Sequence, residues 1–252
     1  MNKGKIIVRK SFVFLLAVIL LMSFSATSFA TASADPDGTM SAEKSAIGYG
    51  NFRYNFVSFI WNNPGSVGFE THIQTTSHGY IPRGYVGALA RLFSSSGALV
   101  STTGWSFNTT TTSYYLTLKE FPTTSGYYYS KGQVAIYNGD TYNYIDCYAT
   151  PNYSPLAPRQ NNNISVQRNS SGEIYGSELF LNQINIQPDL ILAQGVDGTI
   201  GYVKYEDLDD RVMSPTEAIE KMENNSDRII HLYESNGKTI NGEFIVSAGV
   251  TN

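Results

Sequence analysis

Apolar and polar residues alternate in short runs along the chain from residue 48 to residue 150. The runs are rich in Tyr, Phe, Val, Ile and Thr, and Gly and Asn separate them, which is the pattern of half-buried antiparallel strands. The pattern predicts strands at 51–61, 85–93, 98–107 and 114–121, and a hairpin over 127–149. About six short strands at this spacing predict a mainly β fold that begins with an antiparallel β-sandwich or small barrel.

A different pattern follows further along the chain. Ser214 is a good helix cap, Pro215 suits the first helical position and Glu217 completes a capping box, so a helix is predicted over 215–223. Strands are predicted around it at 190–194, 201–205, 229–233 and 239–246. A helix among a few strands predicts a small α+β domain.

The hairpin predicted over 127–149 turns at Asn138-Gly139, the pair most favoured in tight turns because both residues accept positive φ. Side chains alternate across a strand, so a two-residue turn and a four-residue turn put the same residues on each face. One face carries an apolar set that suits a core: Tyr128, Val134, Ile136, Ile145, Cys147 and Ala149. The other face, which we call the tyrosine platform, carries Tyr127, Tyr129, Lys131, Gln133, Tyr137, Tyr142, Tyr144, Asp146 and Tyr148.

The tyrosine platform is the candidate binding surface that the sequence offers. Each Tyr presents apolar area and a polar tip at low entropy cost, which suits stacking on sugar rings or docking of a protein partner. The candidate binding residues are Tyr127, Tyr129, Lys131, Tyr137, Tyr142, Tyr144, Asp146 and Tyr148. The alternative is that this face packs against the second sheet, in which case its tyrosines are structural.

The N-terminus has the pattern of a secretion signal. Four basic residues precede an apolar run over 12–22, which is shorter than the ~20 residues of a membrane helix, and small residues follow. We predict a signal peptide over 1–34 that is cleaved after Ala30, Ala32 or Ala34. The protein is then secreted, with no membrane span after cleavage.

The two patterns and the signal give a domain organisation. The segment from 151 to 171 is rich in Pro, Asn and Ser and has no hydrophobic periodicity, which indicates a linker. We therefore predict a signal peptide at 1–34, a β domain at 48–150, a linker at 151–171 and an α+β domain at 172–250.

Charge and cysteine content narrow the function classes. Signal cleavage removes four basic and no acidic residues, which changes the formal charge from −4 to −8. This balance argues against a nucleic-acid partner, which requires a basic surface. Cys147 is the only cysteine, so no intramolecular disulfide can form, and its place on the apolar face predicts a buried side chain rather than a reactive thiol.

The sequence predicts no catalytic, metal or cofactor site. His72, His78 and His231 lack a paired metal-ligand spacing, and no Gly-x-Ser-x-Gly segment occurs. A glycosidase needs two carboxylates across its scissile bond. Glu70 and Glu120 are among the few carboxylates of the β region, but nothing in the sequence selects a pair.

The C-terminal part contains the segments NSSGEIYGS at 169–177, PDLI at 188–191, GVDGTIGYVKYEDL at 195–208, SPTEA at 214–218, LY at 232–233 and GKT at 237–239. Together they resemble a C-terminal module appended to many uncharacterised exported proteins of Gram-positive bacteria. The resemblance implies export and modularity, and this family has no assigned activity. Residues 201–208 also resemble the final strand of bacterial Src-homology-3-type wall-binding domains, which implies contact with the cell wall.

These observations predict a secreted binding or interaction protein whose tyrosine platform holds cell-wall glycan or an extracellular protein. Two alternatives stay open. An exported aromatic β domain without catalytic residues also fits a bacteriocin-like or toxin-like protein, and scattered catalytic residues would make the protein a secreted hydrolase.

Overall fold

The computed structural model describes residues 38–77, 79–123, 125–151 and 165–251. The predicted signal peptide at 1–34 and residues 152–164 of the predicted linker lie outside the described residues. The strands of the described part are β1 Thr39–Met40, β2 Lys44–Ile47, β3 Arg53–Asn63, β4 Ser66–Thr75, β5 Val86–Leu89, β6 Arg91–Ser94, β7 Leu99–Thr103, β8 Ser106–Phe107, β9 Tyr114–Pro122, β10 Tyr128–Ser130, β11 Gln133–Tyr137, β12 Tyr142–Asp146, β13 Gln167–Arg168, β14 Ile174–Gly176, β15 Leu190–Gln194, β16 Ile200–Lys204, β17 Arg228–Tyr233, β18 Ile240–Ser247 and β19 Val250–Thr251. The helices of the described part are α1 Glu178–Leu181, α2 Tyr205–Leu208 and α3 Pro215–Glu223, and 3₁₀ turns lie at Tyr49–Asn51 and Asn182–Ile184.

The fold is mainly β with largely antiparallel sheets and a small helical part, as the sequence predicts. A six-stranded sheet has the order β1-β3-β4-β9-β19, and β2 also pairs with β3. A four-stranded sheet has the order β12-β11-β5-β8. A nine-stranded sheet has the order β10-β6-β7-β18-β17-β16-β15-β14-β13, in which β7–β18, β7–β15 and β14–β15 are parallel pairs.

Two of the predicted strands each divide between two sheets. The strand predicted at 85–93 forms β5 in the four-stranded sheet and β6 in the nine-stranded sheet, and the strand predicted at 98–107 forms β8 and β7 in the same two sheets. The bend is held at Ala90, whose N–H donates to Thr103 Oγ1 (2.9 Å) and whose carbonyl accepts from the Thr103 N–H (2.9 Å). A single hairpin therefore passes from one sheet into the other.

Strands from both predicted domains share the nine-stranded sheet. Strands β6, β7 and β10 precede the predicted linker, while β13 to β18 lie in it or beyond it. The prediction of two separate domains is corrected by this sheet, and the described residues belong to one compact unit. The physical reason is β7, which is buried along its whole length and takes a neighbour on each edge, β6 on one and β18 on the other. The predicted linker at 151–171 is also too long, because β13 lies within it.

The sheets and helices stack in layers. One face of the six-stranded sheet packs on the four-stranded sheet through a core that includes Tyr54, Phe56, Ile73, Val86, Val134 and Ile136. The same face packs on the nine-stranded sheet through Ile60, Val67, Phe69, Ala90, Leu92 and Val100. The opposite faces of these two sheets have their own cores, which include Leu179 of α1 and Leu208 of α2 in one case and Ala218 of α3 in the other.

Two local predictions are confirmed. Helix α3 begins at Pro215, and the Ser214 hydroxyl accepts a hydrogen bond from the Glu217 N–H (3.3 Å), as the capping signal requires. The Glu217 carboxylate accepts from the Met213 N–H (2.8 Å) instead of returning to the cap residue. Cys147 is 1% exposed, and burial raises the pKa of its thiol to about 12. The only cysteine therefore serves as a small core residue.

A buried ion pair joins the two parts of the chain. The Arg91 guanidinium on β6 donates to the Glu178 carboxylate at the start of α1, and both side chains are almost completely buried. Removing one partner of such a pair leaves the other charge buried and uncompensated, which costs far more than the pair itself contributes. This pair is therefore a sensitive probe of the contact between β6 and α1.

We expect the single variants Arg91→Met and Glu178→Leu each to lower the free energy of unfolding by about 3–5 kcal/mol, because each leaves one buried charge without its partner. The double variant removes both charges, so it should lose less than the sum of the two single losses. Urea unfolding, followed by tryptophan fluorescence, gives the free energy of unfolding of the unmodified protein, the two single variants and the double variant. Strictly additive losses would show that the two side chains do not depend on each other.

Candidate functional site

The tyrosine platform is divided between two sheets. Strand β10, which carries Tyr129, pairs with β6 in the nine-stranded sheet, whereas β11 and β12 belong to the four-stranded sheet. The chain crosses between the sheets at Lys131-Gly132, where a Cβ on Gly132 would lie 1.6 Å from Thr71 Oγ1. The predicted continuous hairpin arm from Tyr127 is therefore corrected. Tyr127 and Tyr129 do not lie beside the other platform tyrosines, because the chain bends where only glycine fits.

Strands β11 and β12 pair in the register of a four-residue turn, which is one of the two turn lengths that the sequence allows. Tyr137 lies opposite Tyr142, and Ala135 lies opposite Tyr144, so these side chains share one face of the sheet. That face is covered rather than free. Its core consists of Leu89, Trp105, Phe107, Ala135, Tyr142 and Ala218, with Tyr137, Tyr144, Val212 and Met222 packed against it.

The burial of Tyr142 shows how this face is used. The side chain is 5% exposed, its ring lies 5.3 Å from the Phe107 ring, and its hydroxyl donates to the Gly84 carbonyl. Burial raises the pKa of the Tyr142 hydroxyl far above its usual range. The picture of a flat, accessible tyrosine surface at 127–148 is therefore corrected. On β11 and β12 this face is packed, but Trp105 and α3 cover it rather than the second sheet considered above.

Lys131 and Asp146 form a hydrogen-bonded pair at the end of β12. Lys131 Nζ lies 2.8 Å from Asp146 Oδ2, Gln133 Nε2 donates to Asp146 Oδ1 (2.6 Å), and Asn182 Nδ2 donates to Asp146 Oδ2 (3.2 Å). Burial alone would raise the pKa of Asp146, but the Lys131 charge and the hydrogen bonds from Lys131 and Gln133 outweigh it and hold the pKa below its usual value. The hydrogen bond from Asn182 connects the end of β12 to the segment after α1. Tyr148 remains exposed, with Lys44 Nζ 4.4 Å from its ring centre.

An open pocket of about 450 Å³ lies beside the packed face. Its lining consists of Thr141, Tyr142, Tyr144, Asp209, Arg211 and Met213. The Arg211 guanidinium makes two hydrogen bonds to the Asp209 carboxylate (2.7 and 2.6 Å) and lies 5.3 Å from the Tyr144 ring centre. The Tyr144 hydroxyl donates to the Val212 carbonyl (2.6 Å) and accepts from the Val212 N–H (2.9 Å). The charges at the pocket are therefore already paired within the chain.

A row of half-buried aromatic side chains lies on the nine-stranded sheet. Tyr175 on β14, Tyr202 on β16 and Tyr233 on β17 form this tyrosine row. The Tyr175 and Tyr202 rings lie edge to face at 5.4 Å, and Tyr202 stands directly opposite Tyr233 in the ladder. His231 lies edge to face with Tyr233 at 6.0 Å, and Lys204 Nζ lies 5.1 Å from the Tyr233 ring centre.

The tyrosine row points away from the helices. Ala193 of β15 lies beside Leu99 of β7, and both belong to the core that α1 and α2 cover. Strand alternation puts Leu192 on the opposite side, and Tyr202 pairs with Leu192. The tyrosines of the row are half-buried, and their neighbour Ile229 is 66% exposed. The core between the six-stranded sheet and the nine-stranded sheet involves Leu92 of β6, Val100 of β7 and Tyr128 of β10.

The sequence predicted two strands of the tyrosine row, β16 and β17, but it predicted neither β14 nor the row itself. The usable signal was alternation, because Tyr202 and Lys204 flank Val203, and His231 and Tyr233 flank Leu232. What the sequence lacked was the pairing of β16 with β17, which are separated along the chain by α2 and α3.

Among the described residues, no group of three or more His, Cys, Asp or Glu side chains could hold a metal ion. No helix within these residues is both long and apolar enough to cross a membrane. His78, one of the three histidines named above, lies outside the described residues. Comparisons with protein-family models, with curated proteins and with solved structures found no match to this chain.

We expect Tyr142→Ala to lower the free energy of unfolding by about 3–5 kcal/mol, because it removes a buried aromatic ring together with its hydrogen bond. Tyr148→Ala is the matched control, since Tyr148 is half exposed and should cost well under 1 kcal/mol. Chemical denaturation of both variants provides the measurement. Equal stability of the two variants would mean that Tyr142 is not part of a packed core.

Proposed function

We propose that this is an exported protein that binds a neutral glycan, in the first place glycan of the cell wall, through the tyrosine row. The observation that carries the proposal is the line of three half-buried tyrosines on the nine-stranded sheet, in which the Tyr175 and Tyr202 rings lie 5.4 Å apart and Tyr202 stands opposite Tyr233. A sugar presents an apolar C–H face and a rim of hydroxyl groups. A tyrosine offers the matching apolar ring and polar tip.

The sheet supports this use because it holds the rings in place before a ligand arrives. Tyr202 and Tyr233 stand opposite each other on paired strands. The Tyr175 ring packs edge to face against the Tyr202 ring across β15. Side chains that are already ordered lose little entropy on binding. A row of this kind suits an extended chain of sugar units rather than a single small molecule.

The charges near the row support a neutral ligand. Lys204 lies 3.5 Å from Glu206, and His231 stands opposite Glu243 in the ladder, so each basic group has an acidic neighbour. The chain without residues 1–34 has a formal charge of −8. This balance disfavours nucleic acid and other strongly acidic polymers, which bind by neutralising their charge with Lys and Arg.

Export is supported by the signal peptide predicted at 1–34 and by the resemblance of the C-terminal segments to modules of exported proteins. Tyr175, Tyr202 and Tyr233 all lie in the segments that carry the resemblance. The row is therefore a property of the part of the chain that links this protein to other exported chains.

The proposal predicts that protein exported into the culture medium and purified from it co-sediments with insoluble cell-wall sacculi in a saturable way. The double variant Tyr202→Ala/Tyr233→Ala removes two rings of the row, so its dissociation constant should rise at least about tenfold. The double variant Tyr127→Ala/Tyr148→Ala is the control, because it removes two exposed tyrosines that lie elsewhere. Circular dichroism verifies that each variant is folded.

Failure of the unmodified protein to bind sacculi, chitin and cellulose alike would contradict the proposal. Equal loss of binding in both double variants would indicate nonspecific adsorption through exposed tyrosines. Binding that phosphate-rich wall polymers compete away, but neutral polysaccharides do not, would mean that the ligand is acidic.

A further inference from the structure

The six-stranded sheet has a second face that does not pack on the other sheets. Alternation places its members on the three central strands β3, β4 and β9. The outer face, as we call it, consists of Val57, Phe59, Trp61, Gly68, Glu70, His72, Leu116, Leu118 and Glu120. Most of these side chains are half-buried, and Glu120 is exposed.

Two stacked aromatic rings lie at one end of the outer face. Phe59 and Trp61 are 5.7 Å apart with an angle of 24° between their planes. The indole of Trp61 lies directly on the backbone of Gly68, where a Cβ would approach it to 2.0 Å. The missing side chain at Gly68 therefore lets the ring lie flat on the sheet. A flat aromatic surface of this kind suits the apolar face of a sugar ring.

Two carboxyl groups lie beside these rings. Glu120 stands opposite Gly68 in the ladder, and Glu70 is two residues further along β4, which makes the two glutamates diagonal neighbours on one face. The Cα atoms of diagonal neighbours are about 7–8 Å apart. That spacing allows the carboxyl separation of about 6.5–9.5 Å that leaves room for a water molecule in inverting glycosidases.

The two carboxyl groups have contrasting surroundings. Glu120 accepts hydrogen bonds from Asn63 Nδ2 (2.7 Å) and Ser66 Oγ (3.2 Å), which orient an exposed carboxylate. Glu70 lies between Phe59 and Leu118 in the ladders, and none of the ion pairs among the described residues involves it. Burial raises the pKa of Glu70 to about 7, so a large fraction of it is protonated near neutral pH. Glu70 is thus suited to donate a proton and Glu120 to accept one.

His72 provides an independent sign that this face meets a ligand. It is two residues from Glu70 on the same face, and its Nε2 atom is buried without a hydrogen-bond partner in the described part of the chain. Burial lowers the pKa of His72 to about 4, so the ring is neutral. A buried polar atom without a partner is costly, which favours a ligand hydroxyl that would satisfy it.

We propose that Glu70 and Glu120 are the general acid and the general base of a glycosidase site on the outer face, with a sugar ring of the substrate held on Phe59 and Trp61. The class of substrate, a neutral glycan, rests on the proposed function of the tyrosine row. The site itself shares no residue with the row, so the two can be tested separately.

The reaction is a hydrolysis in which all atoms and protons are accounted for. The Glu70 carboxylic acid gives its proton to the glycosidic oxygen while the bond from that oxygen to the anomeric carbon breaks. The Glu120 carboxylate takes a proton from a water molecule whose oxygen forms the new bond to the anomeric carbon. The products are two shorter sugars, and solvent returns a proton to Glu70 and removes one from Glu120.

The test uses protein exported into the medium and purified from it, incubated with sacculi, chitin and cellulose, and it measures new reducing ends. We expect release from the glycan that the protein binds. Glu70→Gln and Glu120→Gln should each lower the rate at least about a hundredfold while binding and melting temperature stay unchanged. Glu223→Gln at the end of α3 is the control and should keep full activity. The rate should also fall above about pH 7, as Glu70 loses its proton.

The outcomes separate the two proposals. Binding without any release of reducing ends from the bound glycan would overturn the glycosidase site and leave the binding function standing. Activity that survives in Glu70→Gln or Glu120→Gln would also overturn it. Hydrolysis with retention of the anomeric configuration, seen by NMR, would overturn the assignment of Glu120 as a base acting on water. Absence of binding to all three glycans would overturn the function on which the substrate class rests.

Discussion

The structure depends on one strand that has no free side. Strand β7 is buried on both faces and is paired on both edges, by β6 from its own hairpin and by β18 from the far part of the chain. Because the hairpin bends at Ala90 and Thr103, the same segment also supplies two strands of the four-stranded sheet. The three sheets, and the layers that pack on them, are therefore joined through residues 86–107.

Local features of this fold could be predicted from the sequence, and non-local ones could not. The cap at Ser214 fixes the start of α3, and the strands at 190–194 and 114–121 follow from alternation within a few residues. Alternation does not say which strand becomes the neighbour. Alternation therefore does not predict the bend at Ala90, where two strands predicted as continuous pass from one sheet into another. It also does not predict the pairing of β18 with β7.

The same reason explains the mixed outcome for the candidate site. Tyr142 and Tyr144 do share a face, as their spacing predicts, but what covers that face comes from Trp105 and from α3, which are distant in sequence. Tyr202 has the same alternating surroundings but is only half-buried. A tyrosine on a strand is a core residue or a ligand contact according to whether another layer reaches it. The six-stranded sheet shares its core with β6, β7 and β10, and the residues around Tyr202 do not predict which strands that sheet will cover.

The long reach between β7 and β18 has a consequence for how this chain acquires its structure. Thr102 and Val246 are neighbours in the sheet although 144 positions separate them along the chain. Contacts of such large sequence separation form slowly, and until they form an apolar strand keeps an open edge that can pair with other chains. A chain that leaves the cell N-terminus first would deliver β7 long before β18. In such a chain the nine-stranded sheet could close only after β18 had also crossed the membrane, so the topology itself would favour an unfolded state during export.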